Sequence, residues 1–199
     1  MRRFLIWSVL SGLLVLMIVG VLAADRKRSA DEEKLEALEE FSGRLSRLSS
    51  DPDLTEEQRF LHERVAELMT RAREAEAGSY LFGRLEETMD DLLDASGELR
   101  QARRNEGGSN EEGQERTARD LERTYFRVRQ GDYFARQSGD SHADDYIRLA
   151  QRLYQQARAA YDIREFRRAR SIADAAREVI EGLENLAQAA VRVPEPPKL

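Results

Sequence analysis

The stretch "LYQQARAAYDIREFRRARSIADAA", from Leu153 to Ala176, decides the fold of this 199-residue chain. It contains two helical patterns, which are separated by a short turn at residues 162–164. Small residues mark one face of each pattern, with Ala157 in the first and Ala169 in the second. Because small side chains let two helix backbones approach closely, the stretch predicts two helices packed in an antiparallel hairpin.

The same stretch resembles one helical hairpin of the tetratricopeptide type. The matching positions are Ala157 in the first helix and Phe166, Ala169 and Ala176 in the second. Leu153 and Gln156 stand in place of the family's usual Trp and Leu, and Glu181 replaces its usual Pro. The resemblance covers about 34 residues and implies a packed helical pair. An ordinary antiparallel hairpin is the alternative.

The remainder of the chain also shows the apolar spacing of amphipathic helices. Apolar residues recur at steps of three or four in six segments between residues 30 and 190, and no run alternates as a strand would. The prolines avoid these segments, which also favours helices. We therefore predict an all-α fold, with an N-terminal transmembrane helix followed by antiparallel helical hairpins or a bundle.

The transmembrane prediction rests on Phe4–Ala24, which contains no charged residue. As a helix this stretch would cover about 30 Å, the thickness of a bilayer core. Because the basic cluster at residues 25–28 follows at once, we expect a retained anchor rather than a cleaved signal peptide. Cleavage after Ala23 is the alternative, since Val21 and Ala23 would occupy the two small-residue positions.

These features predict a single-pass membrane protein whose soluble part is extracytoplasmic.

Residues 103–116 contain no apolar side chain, so they predict a flexible linker between two helical segments. The expected segments are an anchor or signal peptide (1–28), an acidic three-helix segment (30–103), the linker (104–116), a C-terminal three-helix segment (117–190) and a disordered tail (191–199).

The sequence shows no recognisable catalytic or metal site. The absence of Cys excludes disulfides, a cysteine nucleophile and thiolate ligands. His62 and His142 stand alone, without the spacing of a metal site, and no phosphate loop or nucleophile elbow is present. The net charge of −6 argues against nucleic-acid binding. We therefore predict no enzyme, no catalytic residue, no cofactor, no metal and no nucleic acid.

Most aromatic residues lie in the C-terminal half, and aromatic residues and Arg are common at binding hot spots. We therefore predict the partner surface there. The expected function is a membrane-anchored, non-enzymatic helical interaction or scaffold module at the bacterial cell envelope. Its partners would be the bilayer and an unknown protein, and a homo-oligomer is compatible with the apolar faces. The alternative is a secreted or periplasmic helical binding protein released by signal cleavage. The expected contact residues are Tyr146, Tyr154, Tyr161, Phe166 and Arg167.

Overall fold

The computed structural model describes residues 27–107 and 113–191. Within these ranges the chain forms six α-helices and no strand, and 86% of it is helical. The all-α prediction and the number of helices outside the anchor are confirmed. The helices are α1 (27–49), α2 (Glu56–Glu74), α3 (Tyr80–Arg104), α4 (Gln114–Ser138), α5 (Ala143–Asp162) and α6 (Phe166–Ala190).

Short polar side chains define where two of the helices begin. Thr55 accepts a hydrogen bond from the Gln58 amide at 3.2 Å, and the Gln58 side chain accepts one from the Thr55 amide at 3.3 Å. This reciprocal pair is a capping box that fixes the start of α2. Ser79 caps α3 by accepting a hydrogen bond from the Phe82 amide at 3.1 Å.

The centre of the bundle is α6, which packs against α3, α4 and α5. Its side chains at Ala169, Ala173 and Ala176 have no exposed surface. Because these side chains are small, the backbones of the neighbouring helices can approach α6 closely. Ala157 on α5 is also fully buried, so both small-residue faces of the predicted hairpin lie in the core.

Three buried threonines line the approach to α6. Thr117 and Thr124 of α4 and Thr88 of α3 have no exposed surface. Each hydroxyl donates a hydrogen bond at 2.8 Å to the carbonyl four residues earlier in its own helix. Each also lies 3.4–3.5 Å from a carbonyl oxygen of α6. The hydroxyls are therefore satisfied without a partner side chain on α6.

Gly131 of α4 leaves little room for a side chain against α6. A Cβ atom at Gly131 would lie 2.8 Å from Cδ1 of Ile180 and 3.6 Å from Cγ1 of Ile147. Both isoleucines are buried, so a side chain at this position would require the Cδ1 end of Ile180 to shift within the packed core.

The turn between α5 and α6 is as tight as the sequence predicts. Arg164 has a φ of 65°, in the left-handed region that glycine usually occupies at a helix end. Its amide donates a hydrogen bond to the Tyr161 carbonyl at 2.9 Å, and the Glu165 amide donates to the Ala160 carbonyl at 2.9 Å. This pair of bonds is a Schellman motif, which ends α5 and turns the chain back along it.

The two predicted helical segments share a core. The contact between α3 and α6, one helix from each segment, is more extensive than any other among α2–α6. The described start of the predicted linker is also attached, since the Gly107 amide donates to the Glu165 carboxylate at 2.9 Å. This packing favours a single bundle. Independent motion of segments 30–103 and 117–190 remains a prediction, and residues 108–112 lie outside the described ranges.

The predicted membrane localisation needs correction. Across residues 27–107 and 113–191, every helix is too short or too polar to cross a membrane. This finding contradicts the predicted localisation as a single-pass membrane protein. The physical reason is that these helices are apolar on the core-facing stripe alone and carry charges on the remaining surface. The stretch Phe4–Ala24, on which the prediction rested, lies outside the described residues.

The buried alanine face can be tested with Ala169→Glu. We expect this change to lower the free energy of unfolding by about 3 kcal/mol or more, because it buries a charge in a closely packed site. Ala159→Glu is the matched control, since Ala159 is exposed on α5 and should change stability by less than about 0.5 kcal/mol. Urea unfolding followed by circular dichroism measures both. Equal stability of the two variants would show that Ala169 is not confined.

The glycine contact gives a second test. Gly131→Ala should lower the Tm, because overpacking costs about 1–3 kcal/mol and exceeds the helix-propensity gain of about 1 kcal/mol. Gly97→Ala should raise the Tm, because a Cβ atom there meets nothing within 4 Å and only the propensity gain remains. Differential scanning calorimetry compares the two variants. A higher Tm for both would mean that α4 can move away from α6 at little cost.

Candidate partner-binding surface

An open groove of about 450 Å³ lies between α4 and α5. We call it the aromatic groove because four of its lining side chains are aromatic, and one acidic and one basic side chain accompany them. These residues are Tyr125, Phe126, Tyr154, Tyr161, Glu122 and Arg158.

The exposure of these aromatic rings follows from the way α4 packs. Its buried stripe includes Leu121, Thr124 and Val128, which face the core. Tyr125 and Phe126 lie beside this stripe and remain 43% and 60% exposed. Large aromatic side chains that stay exposed together on a packed bundle are typical of an interaction surface.

The rings form a connected wall. Tyr125 contacts Phe126 edge to face, with ring centroids 5.6 Å apart, and its centroid is 5.8 Å from that of Tyr154 across the groove. Tyr161 packs against the buried Phe166, with centroids 5.3 Å apart. Each aromatic of the groove is therefore held by a neighbouring ring, which reduces the conformational entropy that binding would remove.

The two charged groups differ in sign. A hydrogen bond from Arg158 to the Tyr154 hydroxyl oxygen raises the pKa of Arg158 above its ordinary value, so the guanidinium is positive at any physiological pH. The Tyr154 hydroxyl can donate a hydrogen bond into the groove. Glu122 is exposed on α4 and supplies the negative charge.

Of the five residues that the sequence predicted for partner contact, two lie in this groove. Tyr154 and Tyr161 are half-buried and line it from α5. Arg167 is exposed on the first turn of α6 and is not among the lining residues. The structure therefore brings together two of the predicted contact residues on one face.

The other two predicted contact residues are part of the core. Tyr146 is only 2% exposed and packs edge to face on Phe60, with centroids 5.7 Å apart. Its burial raises the pKa of its hydroxyl well above the usual range. Phe166 is 3% exposed beneath Tyr161. The expectation that these two side chains meet a partner at the surface is corrected, because the apolar stripe of their own helix turns them inward.

Tyr125 and Phe126 line the groove but were not among the five residues predicted for partner contact. A usable signal was present, because an amphipathic helix buries a single stripe and two adjacent residues point about 100° apart. At least one member of an adjacent aromatic pair should therefore face outward. Tyr133 and Phe134 repeat the pattern, and Tyr133 is 62% exposed.

A serine–histidine pair is present, but it is buried. Nε2 of His62 lies 2.8 Å from Oγ of Ser96, and Nδ1 lies 3.1 Å from Oγ of Ser49. A serine beside an imidazole is the arrangement of many hydrolytic sites. Ser96 is fully buried here, however, so no substrate can reach it. The chain of hydrogen bonds instead joins α1, α2 and α3. Burial and then the charge of Arg100 lower the pKa of His62.

One carboxylate of α3 meets two carboxylates of α6. One oxygen each of Asp91, Glu178 and Glu181 lies within 4.8 Å of the other two. Burial, reinforced by the neighbouring acids, raises the pKa of Asp91 to about 7 and that of Glu178 to about 7. Asn185 donates a hydrogen bond to Asp91 at 2.9 Å. Carboxylate oxygens are the ligands that Mg²⁺ and Ca²⁺ prefer. Protonation of one carboxyl group would equally relieve the repulsion between the three negative charges.

Comparison with protein-family models, curated proteins and solved structures gives no match for this chain. The resemblance to a tetratricopeptide hairpin therefore gains no support.

The carboxylate cluster predicts a pH-dependent stability. In the unfolded chain Asp91 and Glu178 return to ordinary pKa values of 3.8 and 4.5, so the folded state binds more protons at intermediate pH. Their contribution to the free energy of unfolding should therefore increase as the pH falls from about 8 to about 5. Glu178→Gln should stabilise the protein by about 1–2 kcal/mol at pH 8, with the gain disappearing near pH 5.

Urea unfolding of both proteins between pH 5 and 8 measures this difference. His62 acts in the opposite direction, because its lowered pKa removes stability as the pH falls through its ordinary value of 6.5. It is common to both proteins and cancels in the difference. Glu63→Gln, at an exposed site on α2, is the control and should show no such trend. A Glu178→Gln protein that is less stable than the parent at pH 8 would contradict the prediction.

Proposed function

We propose that the protein is a non-enzymatic helical interaction module that binds a partner protein in the aromatic groove between α4 and α5. The observation that carries the proposal is the set of aromatic side chains left exposed together on an otherwise packed bundle. Tyrosine supplies large contact area at small entropic cost, and it is enriched among the residues that dominate binding energy.

The position of the groove on the bundle supports this proposal. Both of its walls pack against α6, and α4 and α5 also pack against each other. The groove is therefore formed before a partner arrives, which reduces the ordering cost of binding. A rigid surface built on two helices is also more precise than one built on loops.

The non-enzymatic part of the proposal has its own support. Among the described residues, the Ser96–His62 pair is sealed in the core, and the groove is lined by tyrosine, phenylalanine and one pair of charges. Neither arrangement offers an accessible nucleophile beside a base. The groove fits recognition better than chemistry, and the buried pair serves to join helices.

Site-specific photo-crosslinking tests the proposal. A photoreactive amino acid replaces Phe126 in the groove and, as a control, Tyr80 at the start of α3. Tyr80 is 51% exposed, so the two positions are comparably accessible. We expect a discrete crosslinked product from position 126 alone, and its yield should fall at least about tenfold when Tyr125→Ala is added. An equal yield of crosslinked product at both positions, or a yield that Tyr125→Ala does not change, would refute the proposal.

A further inference from the structure

The chemistry of the aromatic groove indicates the conformation of its occupant. Three of its four aromatic residues are tyrosines, whose hydroxyls can donate hydrogen bonds. An α-helix uses its carbonyls internally, whereas a polyproline II segment leaves its carbonyls free to accept. Aromatic-lined grooves are one established way of binding proline-rich segments. The groove is therefore better matched to an extended proline-rich chain than to a helix.

This chain contains such a segment. Three of its four prolines fall within "PEPPKL", residues 194–199. Pro194 and Pro197 are three residues apart, which is one turn of a polyproline II helix and about 9 Å. Both would therefore face the same side of an extended segment. Glu195 and Lys198 are opposite in sign to the two charged groups of the groove, Arg158 and Glu122.

A chain cannot place this segment in its own groove. The hydroxyl of Thr124 lies against the carbonyl of Ala173, so the groove is level with the first half of α6. From Ala173 to Val191 the chain runs about 27 Å along the helix axis, away from the groove. Pro194 can return about 10 Å even when fully extended, and Pro197 about 20 Å.

We propose that the groove binds the proline-rich segment Pro194–Lys198 of a second copy of this chain. Tyr125 and Tyr154 pack on the prolines, Arg158 pairs with Glu195, and Glu122 pairs with Lys198. The proposal rests on the proposed function, because it names the occupant of the same groove. It makes the protein a homo-oligomer joined by exchanged tails.

Fluorescence anisotropy with a labelled peptide, VRVPEPPKL (residues 191–199), tests the proposal. The receptor is the full-length protein carrying Pro194→Ala and Pro197→Ala, which leaves the groove intact but disables the competing tails. We expect saturable binding that weakens at least about tenfold when Tyr125→Ala is added, and that is unchanged by Tyr80→Ala. A peptide with both prolines replaced by alanine should not bind. Circular dichroism and the Tm confirm that each receptor is folded.

Sedimentation velocity of the full-length chains gives the second measurement. The parent protein should associate as its concentration rises, and either the tail variant or Tyr125→Ala should remain monomeric. An equimolar mixture of the two should associate again, because one supplies a groove and the other a tail.

Two results would overturn the proposal: the absence of peptide binding, or an affinity for the peptide that Tyr125→Ala does not change. If the photo-crosslink at position 126 still forms with a different protein, the groove is an interaction site and only its occupant has been misassigned. If that crosslink is also missing, the proposed function fails as well.

Discussion

The close approach of three helices to α6 is the constraint on which the other features depend. It is possible because α6 presents alanines to its neighbours and because Gly131 and the buried threonines fill little space on theirs. Fixing α4 and α5 on a common helix also fixes the separation of Tyr125 from Tyr154. The geometry of the aromatic groove is therefore set in part by small buried residues that do not line it.

The helices and the α5–α6 hairpin could be predicted because their signals are local. The apolar period of three or four residues can be recognised within one helix at a time, and so can the small residues Ala157 and Ala169. The exposure of the aromatic residues was predicted less well, because Tyr154 and Tyr161 line the groove whereas Tyr146 and Phe166 lie in the core. Whether a ring faces a neighbouring helix or solvent depends on how distant segments pack, and periodicity does not record that.

The environments of the buried titratable groups also depend on contacts between distant segments. His62 contacts Ser96 from 34 residues away, and Asp91 lies beside Glu178, so neither environment can be read from adjacent residues. Their effects on stability have opposite signs, because burial opposes the charged form of both group types. Acid penalises the buried imidazole and relieves the crowded carboxylates. Together they reduce the net dependence of the fold on pH around neutrality.

The threonines that face α6 have a consequence for the evolution of this fold. Their hydroxyls contact only backbone carbonyls, in their own helices and in α6, so the contact requires no particular side chain on α6 as a hydrogen-bonding partner. Serine, which keeps the hydroxyl, could occupy such positions with modest adjustment. Many sequences can then encode the same arrangement of helices, and lineages that share the backbone can drift apart in sequence while the architecture persists.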